Sequence, residues 1–177
     1  MPRKFRRKGY VRKYSRVPRK LKYSNETRVS SFRLLNTVAQ GVQSNTQITE
    51  ETDLLGTRKV KNFTVSLHTS ELFVDGIKQE YALLAWALVY VPEGLDPSSI
   101  HFFDPNAQGN KSFYEPNQNV IMAGLLDNRH CIRLKSRLAR NLNSGDRIFL
   151  CICDPGNGVS HSREHFLSIA VNYAISF

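Results

Sequence analysis

The 177 residues carry 25 Lys and Arg against 15 Asp and Glu, a formal net charge of +10, which points to polyanionic partners. That length suits a single domain with no room for a second of ordinary size. Three cysteines cannot all pair, so no disulfide framework is expected, and the longest apolar run, Tyr81 to Val91, is too short to span a bilayer as a helix.

The charge is not spread evenly. Residues 1–24, MPRKFRRKGYVRKYSRVPRKLKYS, hold eleven Lys and Arg and no acid, whereas residues 25–177 hold fourteen Lys and Arg against fifteen Asp and Glu, a net of −1. The chain therefore reads as a +11 arm on a near-neutral body. Gly9, Pro18 and charge repulsion keep the arm from building a core, so it is expected to be flexible when free. No apolar run of signal-peptide length follows it, and a soluble protein made in the cytosol, with reduced thiols, is expected.

Bulk Lys and Arg neutralise phosphates and release counterions without reading bases. The arm's candidates for this are Arg3, Lys4, Arg6, Arg7, Lys8, Arg12, Lys13, Arg16, Arg19, Lys20 and Lys22. Phe5, Tyr10 and Tyr14, with Tyr23 behind them, are interleaved aromatics suited to stacking on unpaired bases. If all eleven charges engaged a single strand, log K would fall against log salt with a slope of up to roughly −8. A solvated tail is the blander reading of such a run; a nuclear import signal is a compatible second role.

After Asn25 the texture changes to short alternating segments. A strand is expected near Ser30 to Gln43, and KNFTVSLH places Phe63, Val65 and Leu67 on one face. VDGI at Val74 is a hairpin signal. Tyr81 to Val91 is eleven apolar residues that suit a strand covered on both faces, or else a buried helix; the alternation of Ala85 and Ala87 with larger neighbours and the stop at Pro92 favour the strand. Further strands are expected near Ser99 to Phe103, Asn119 to Leu126 and His130 to Ala139. RIFLCIC, Arg147 to Cys153, is another, launched from the turn NSGD. The clearest strand is HFLSIAVNYAISF, where Leu167, Ile169, Val171, Tyr173, Ile175 and Phe177 share one face. Turn signals recur between them at PEGLDP, DPNAQGN, EPNQN and DPGNG. Some eight strands with no convincing helix imply an all-β antiparallel sandwich or jelly roll.

Within this body IRLKSRLARNL, Ile132 to Leu142, forms a second basic feature. As a strand it sets Arg133, Lys135 and Arg137 on one face opposite Ile132, Leu134 and Leu138, with Arg140 nearby; as an amphipathic helix it would merely solvate its arginines. Catalytic constellations are missing: there is no phosphate-cradling glycine loop, nucleophile elbow or H-E-x-x-H, so an enzyme is not expected and no catalytic residue is nominated. Cys151, Cys153, His161 and His165 fit no common zinc spacing, and two cysteines two apart in an apolar strand read as buried side chains pointing the same way. Asp96, Asp104, Asp127, Asp146 and Asp154 fall in turns, where Asx hydrogen bonding accounts for them without a metal; calcium at a subunit boundary is the one metal alternative. No cofactor is expected.

Three stretches carry a family likeness: VYVPEGLDP from Val89, YEPNQNVIMAG from Tyr114 and LARNLNSGDRIFL from Leu138. They resemble segments of the capsid proteins of small circular Rep-encoding single-stranded DNA viruses, the circovirus-like group. The resemblance implies an eight-stranded antiparallel jelly roll over residues 25–177, preceded by a nucleic-acid-packaging arm over 1–24. It further implies about 60 copies closing an icosahedral shell through repeated contacts, and long connections such as Glu93 to Asn119 at the outside or on symmetry axes. Its partners would be genomic single-stranded nucleic acid, DNA before RNA, together with host import and attachment factors and no membrane. Its places would be the virion and the host nucleus. Satellite-virus capsids with RNA genomes share this plan, and a cellular nucleic-acid-binding β protein with a basic tail is the main rival.

Overall fold

The computed structural model describes residues 22–37, 42–51, 56–74, 77–78, 83–100, 119–127, 131–155 and 163–176. Apart from one 3-10 turn at Pro97–Ser99, its regular elements are strands: β1 (Tyr23–Asn36), β2 (Val42–Gln47), β3 (Arg58–Val74), β4 (Ile77–Lys78), β5 (Leu83–Val91), β6 (Val120–Asp127), β7 (Ile132–Leu142), β8 (Arg147–Asp154) and β9 (Arg163–Ser176). Every pairing is antiparallel. In the first sheet β1 pairs with β9 and β9 with β3, while β3 pairs with β7 along its first half and with β4 at its far end. The second sheet runs β2-β8-β5-β6. The two pack face to face as an all-β sandwich of eight main strands, with β4 the short return of a hairpin in which Val74 pairs with Ile77, as VDGI predicts.

Alternation decides which side chains meet between the sheets. On β9 Leu167, Ile169, Val171, Tyr173 and Ile175 are all buried, and they face Leu84, Trp86 and Leu88 of β5 and Leu150 and Ile152 of β8 in one cluster. Each fully buried large side chain here contributes roughly 1.5–3 kcal/mol of transfer free energy. The strand expected near Ser30 to Gln43 resolves into two, β1 and β2, in different sheets. β1 starts at Tyr23, so the last two residues of the basic head lie in the first sheet. Of the strand expected at Ser99 to Phe103, Ser99 belongs to the 3-10 turn, whose cap Asp96 accepts from Ser98 N at 2.7 Å. Residues 101–103, like Tyr81, Phe177, the DPNAQGN turn and the EPNQN turn up to Gln118, lie outside the described residues.

β5 is buried on both faces. Its even positions join the inter-sheet core, and Ala85, Ala87, Val89 and Val91 form a second apolar layer with Phe149, Cys151 and Cys153 of β8, on which Ile100 packs. The two cysteines do point the same way, and burial pushes the Cys151 thiol up to about 12. Trp86 is fully buried, and β6 accommodates it by placing Gly124 directly opposite, where a Cβ would lie 3.2 Å from the indole nitrogen.

β3 is not a regular strand. Val60 and Phe63 are both fully buried although they stand three positions apart, which strict alternation forbids. Pairing with β9 shifts by one between Lys61 and Thr64, so the extra residue is accommodated at Asn62, whose φ is 57°. Asn is among the few non-glycine residues that take this left-handed conformation at modest cost. Opposite it, β7 also slips, with Lys61 against Ala139 and Phe63 against Ser136.

Two buried aspartates tie the sandwich at opposite ends. Asp146, in the NSGD turn, accepts from Asn143 N and from the Tyr90 hydroxyl, both at 2.8 Å through Oδ2, and from Glu93 N at 3.1 Å through Oδ1. Burial first, and then the hydrogen bond to Asp146, push the Tyr90 phenol up to about 12. Asp154 ends β8 in the second sheet and meets β9 of the first. Its Oδ1 lies 3.1 Å from Nη2 of Arg163, without hydrogen-bond alignment, and its Oδ2 lies 3.2 Å from Nε2 of His165. Removing one partner of a buried pair of this kind costs roughly 3–5 kcal/mol, so the contact holds the two sheets together.

Candidate nucleic-acid interface

The outward face of the first sheet follows from the register. Across it lie Tyr23, Asn25, Thr27, Val29 and Ser31 of β1; Ser168, Ala170, Asn172, Ala174 and Ser176 of β9; Lys59, Lys61, Thr64, Ser66 and His68 of β3; and Arg133, Lys135, Ala139 and Asn141 of β7. None of these positions is an acid. Among the side chains described, a carboxylate on this side, Glu164, is ion-paired with Arg33 toward the far end of the sheet. The centre of the face thus carries cations above small and hydroxyl side chains, with the Thr27 hydroxyl donating to Asn172 Oδ1 at 2.5 Å.

The cations form a diagonal row. Lys59 and Lys61 sit near the head of β1, opposite Asn141 and Ala139. Lys135 and Arg133 follow lower on β7, opposite Thr64 and Ser66, and exposed Arg137 occupies the irregular step between. Lys61 Nζ stands 3.8 Å from the centroid of the Tyr23 ring, and Lys59 N donates to the Ser176 hydroxyl at 2.8 Å beside it. The row therefore begins where the basic arm enters the sheet. Side chains two apart on a strand are separated by about 6.7 Å, close to the step between successive phosphates of an extended strand. Cations at this spacing suit a chain of phosphates, which Lys and Arg neutralise with release of counterions.

Of the residues picked out from the sequence, Arg133, Lys135 and Arg137 lie on a strand and are exposed together. Arg140 is not with them. It pairs with Val60 on the core-facing side, is half-buried, and its charge bears on Tyr90 in the Asp146 network. Lys22 is exposed immediately before β1. The other arm residues, Arg3, Lys4, Phe5, Arg6, Arg7, Lys8, Tyr10, Arg12, Lys13, Tyr14, Arg16, Arg19 and Lys20, lie outside the described residues, as does His161. His165 is committed to Asp154, on a different face from the cysteines. Among the described residues no group of three or more His, Cys, Asp and Glu is placed to hold a metal ion, and no helix is long and apolar enough to cross a membrane.

Sequence reasoning missed Lys59, Lys61 and the place of Tyr23. A signal for the lysines was present: Val60 and Phe63 can both be core residues only if the strand bulges between them, and Asn62 is a residue that suits a bulge. With that shift, Lys59 and Lys61 must face outward. No protein-family model matches the chain, and no curated protein is similar to it at significance.

Proposed function

We propose that this chain is a structural capsid subunit of the circovirus-like kind. In this reading residues 25–177 form a single jelly roll that self-assembles into a small icosahedral shell of about 60 copies, and residues 1–24 package single-stranded nucleic acid, DNA before RNA. The observation that carries the reading is the placement of charge. A +11 arm joins a body of net −1, and five of the body's fourteen Lys and Arg, namely Lys59, Lys61, Arg133, Lys135 and Arg137, form a row on the sheet that the arm enters. Subunits that are nearly neutral pack without mutual repulsion, while the cations of the arm and of this row are cancelled by the enclosed polyanion.

Two further observations support it. The two antiparallel sheets, with β1-β9-β3 joined by β7 in one and β2-β8-β5-β6 in the other and the chain crossing repeatedly between them, support the jelly-roll reading. Leu125 on β6 and Leu134 and Leu138 on β7 are large apolar side chains exposed on strands that end their sheets, the kind of surface that contact between subunits covers. The virion and the host nucleus are the places this function implies, with import factors reading the arm.

The test is direct. Purified full-length protein, mixed with single-stranded DNA and analysed by size-exclusion chromatography and electron microscopy, is expected to form closed shells containing nucleic acid. A monomer that persists at every salt concentration, with or without DNA, sinks the proposal.

A further inference from the structure

We propose that Tyr23 and Lys61 form a stacking site for one unpaired base, which makes the folded body, and not only its arm, selective for single-stranded over duplex nucleic acid. This rests on the nucleic-acid reading above and adds a ligand class and a site to it. The geometry is a phosphate-binding group poised over a π face: Lys61 Nζ lies 3.8 Å from the Tyr23 centroid, and no acid among the described residues is paired beside either group on that side of the sheet. The ring is also positioned, because Tyr23 pairs with Ser176, whose hydroxyl is fixed by Lys59 N at 2.8 Å. A platform ordered in advance loses less freedom on binding than aromatics on a free tail.

An ammonium over a half-buried surface ring is a weaker contact than a base stacked on it. Lys61, on its flexible stem, exchanges the ring for the phosphate of the incoming nucleotide, and that nucleotide's base takes the ring. The following phosphates then meet Lys59 and the cations of β7 in turn. A duplex can offer the phosphates but not the base, since its bases are stacked on each other. Discrimination thus resides in Tyr23, and sequence-independent affinity in the lysines and arginines.

The experiment compares full-length wild type, Tyr23→Leu, Tyr23→Phe and Lys61→Gln, each checked for an unchanged melting temperature. Fluorescence anisotropy is read with an unstructured oligothymidine and with a hairpin duplex of equal charge. Tyr23→Leu is expected to weaken oligothymidine binding roughly 5- to 100-fold and duplex binding by no more than about twofold. Tyr23→Phe, which keeps the ring, is expected to behave as wild type. Lys61→Gln is expected to weaken both ligands and reduce the salt slope by about 0.7 to 0.9. Equal loss on the two ligands in Tyr23→Leu, or loss on neither, overturns the site while leaving the packaging reading standing if wild type binds and assembles. Wild type that binds neither ligand overturns both.

Discussion

The first and second sheets share one core, yet their outer faces differ in kind. Behind β5 and β8 the outward layer is Ala85, Ala87, Val89, Cys151 and Cys153, none more than slightly exposed. Behind β9 and β3 it is serine, threonine, asparagine and lysine. A strand apolar on both sides must be covered on both sides, whereas a strand that alternates cleanly leaves one face for water or for a partner. The contrast shows that net charge conceals arrangement: the body sums to −1, yet one face presents a row of cations while the centre of the other, on β5 and β8, is apolar.

The largest effect should come from placing the same charge on each outer layer. Ala87→Asp buries an uncompensated carboxylate and is expected to cost roughly 3–5 kcal/mol. Ser66→Asp, on the wet face, should stay within about 0.5 kcal/mol of wild type while weakening nucleic-acid binding. Urea melts of the two variants check this, and equal costs would dissolve the distinction between the sheets.

Thiol reactivity tests the same contrast without mutation. Cys131 is exposed, while Cys151 and Cys153 are buried and burial pushes the Cys151 thiol up to about 12. A thiol reagent should label one cysteine per native chain, with the other two slower by on the order of a hundredfold or more until denaturant is added. Three thiols reacting at one rate would mean that the second sheet's outer layer is open.

Alkali probes a tyrosine of each sheet. Tyr90 on β5 is held by Asp146, and Tyr173 on β9 donates to Glu26 at 2.8 Å; both phenols are raised, first by burial and then by those hydrogen bonds. A raised phenol stabilises the fold fully below its unfolded value of 10.0 and loses that contribution as pH climbs, for Tyr90 toward about 12. Stability should hold up to about pH 10 and decline above it. Tyr90→Phe should flatten part of that decline in pH-dependent melts, and an unchanged slope would remove Tyr90 as its source.

The smallest effect on stability is expected on the cationic face. Changing Lys59, Lys61, Arg133 and Lys135 together to Gln should alter the melting free energy by about 0.5 kcal/mol or less. The same change should reduce the single-strand salt slope by about 3. A full slope in this variant would return all the binding to the arm.

The sequence was most legible where one physical rule acted alone. Unbroken alternation from Leu167 to Ile175, the two-sided burial of β5 and the NSGD turn are each written in consecutive residues. The stripe Arg133, Lys135 and Arg137 was legible once β7 was taken as a strand. What escaped was set by pairing across the sheet. Arg140 turns inward because it pairs with Val60. The row that includes Lys59 and Lys61 exists only because β1 and β7 fold onto strands more than thirty residues away in sequence. Asp154 looked like a turn residue because its partners, Arg163 and His165, lie on the next strand, in the other sheet.

Asn62 has a consequence for what changes the chain can tolerate. Before it, even-numbered residues of β3 point inward; from Phe63 to Thr69, odd-numbered ones do. Deleting that one residue would act as a frameshift in space rather than in code, leaving either Val60 stranded in solvent with its lysines forced toward the core, or Phe63, Val65 and Leu67 turned out together. A substitution at this position is a local matter of left-handed backbone. A change of length there would decide which side of the molecule is charged.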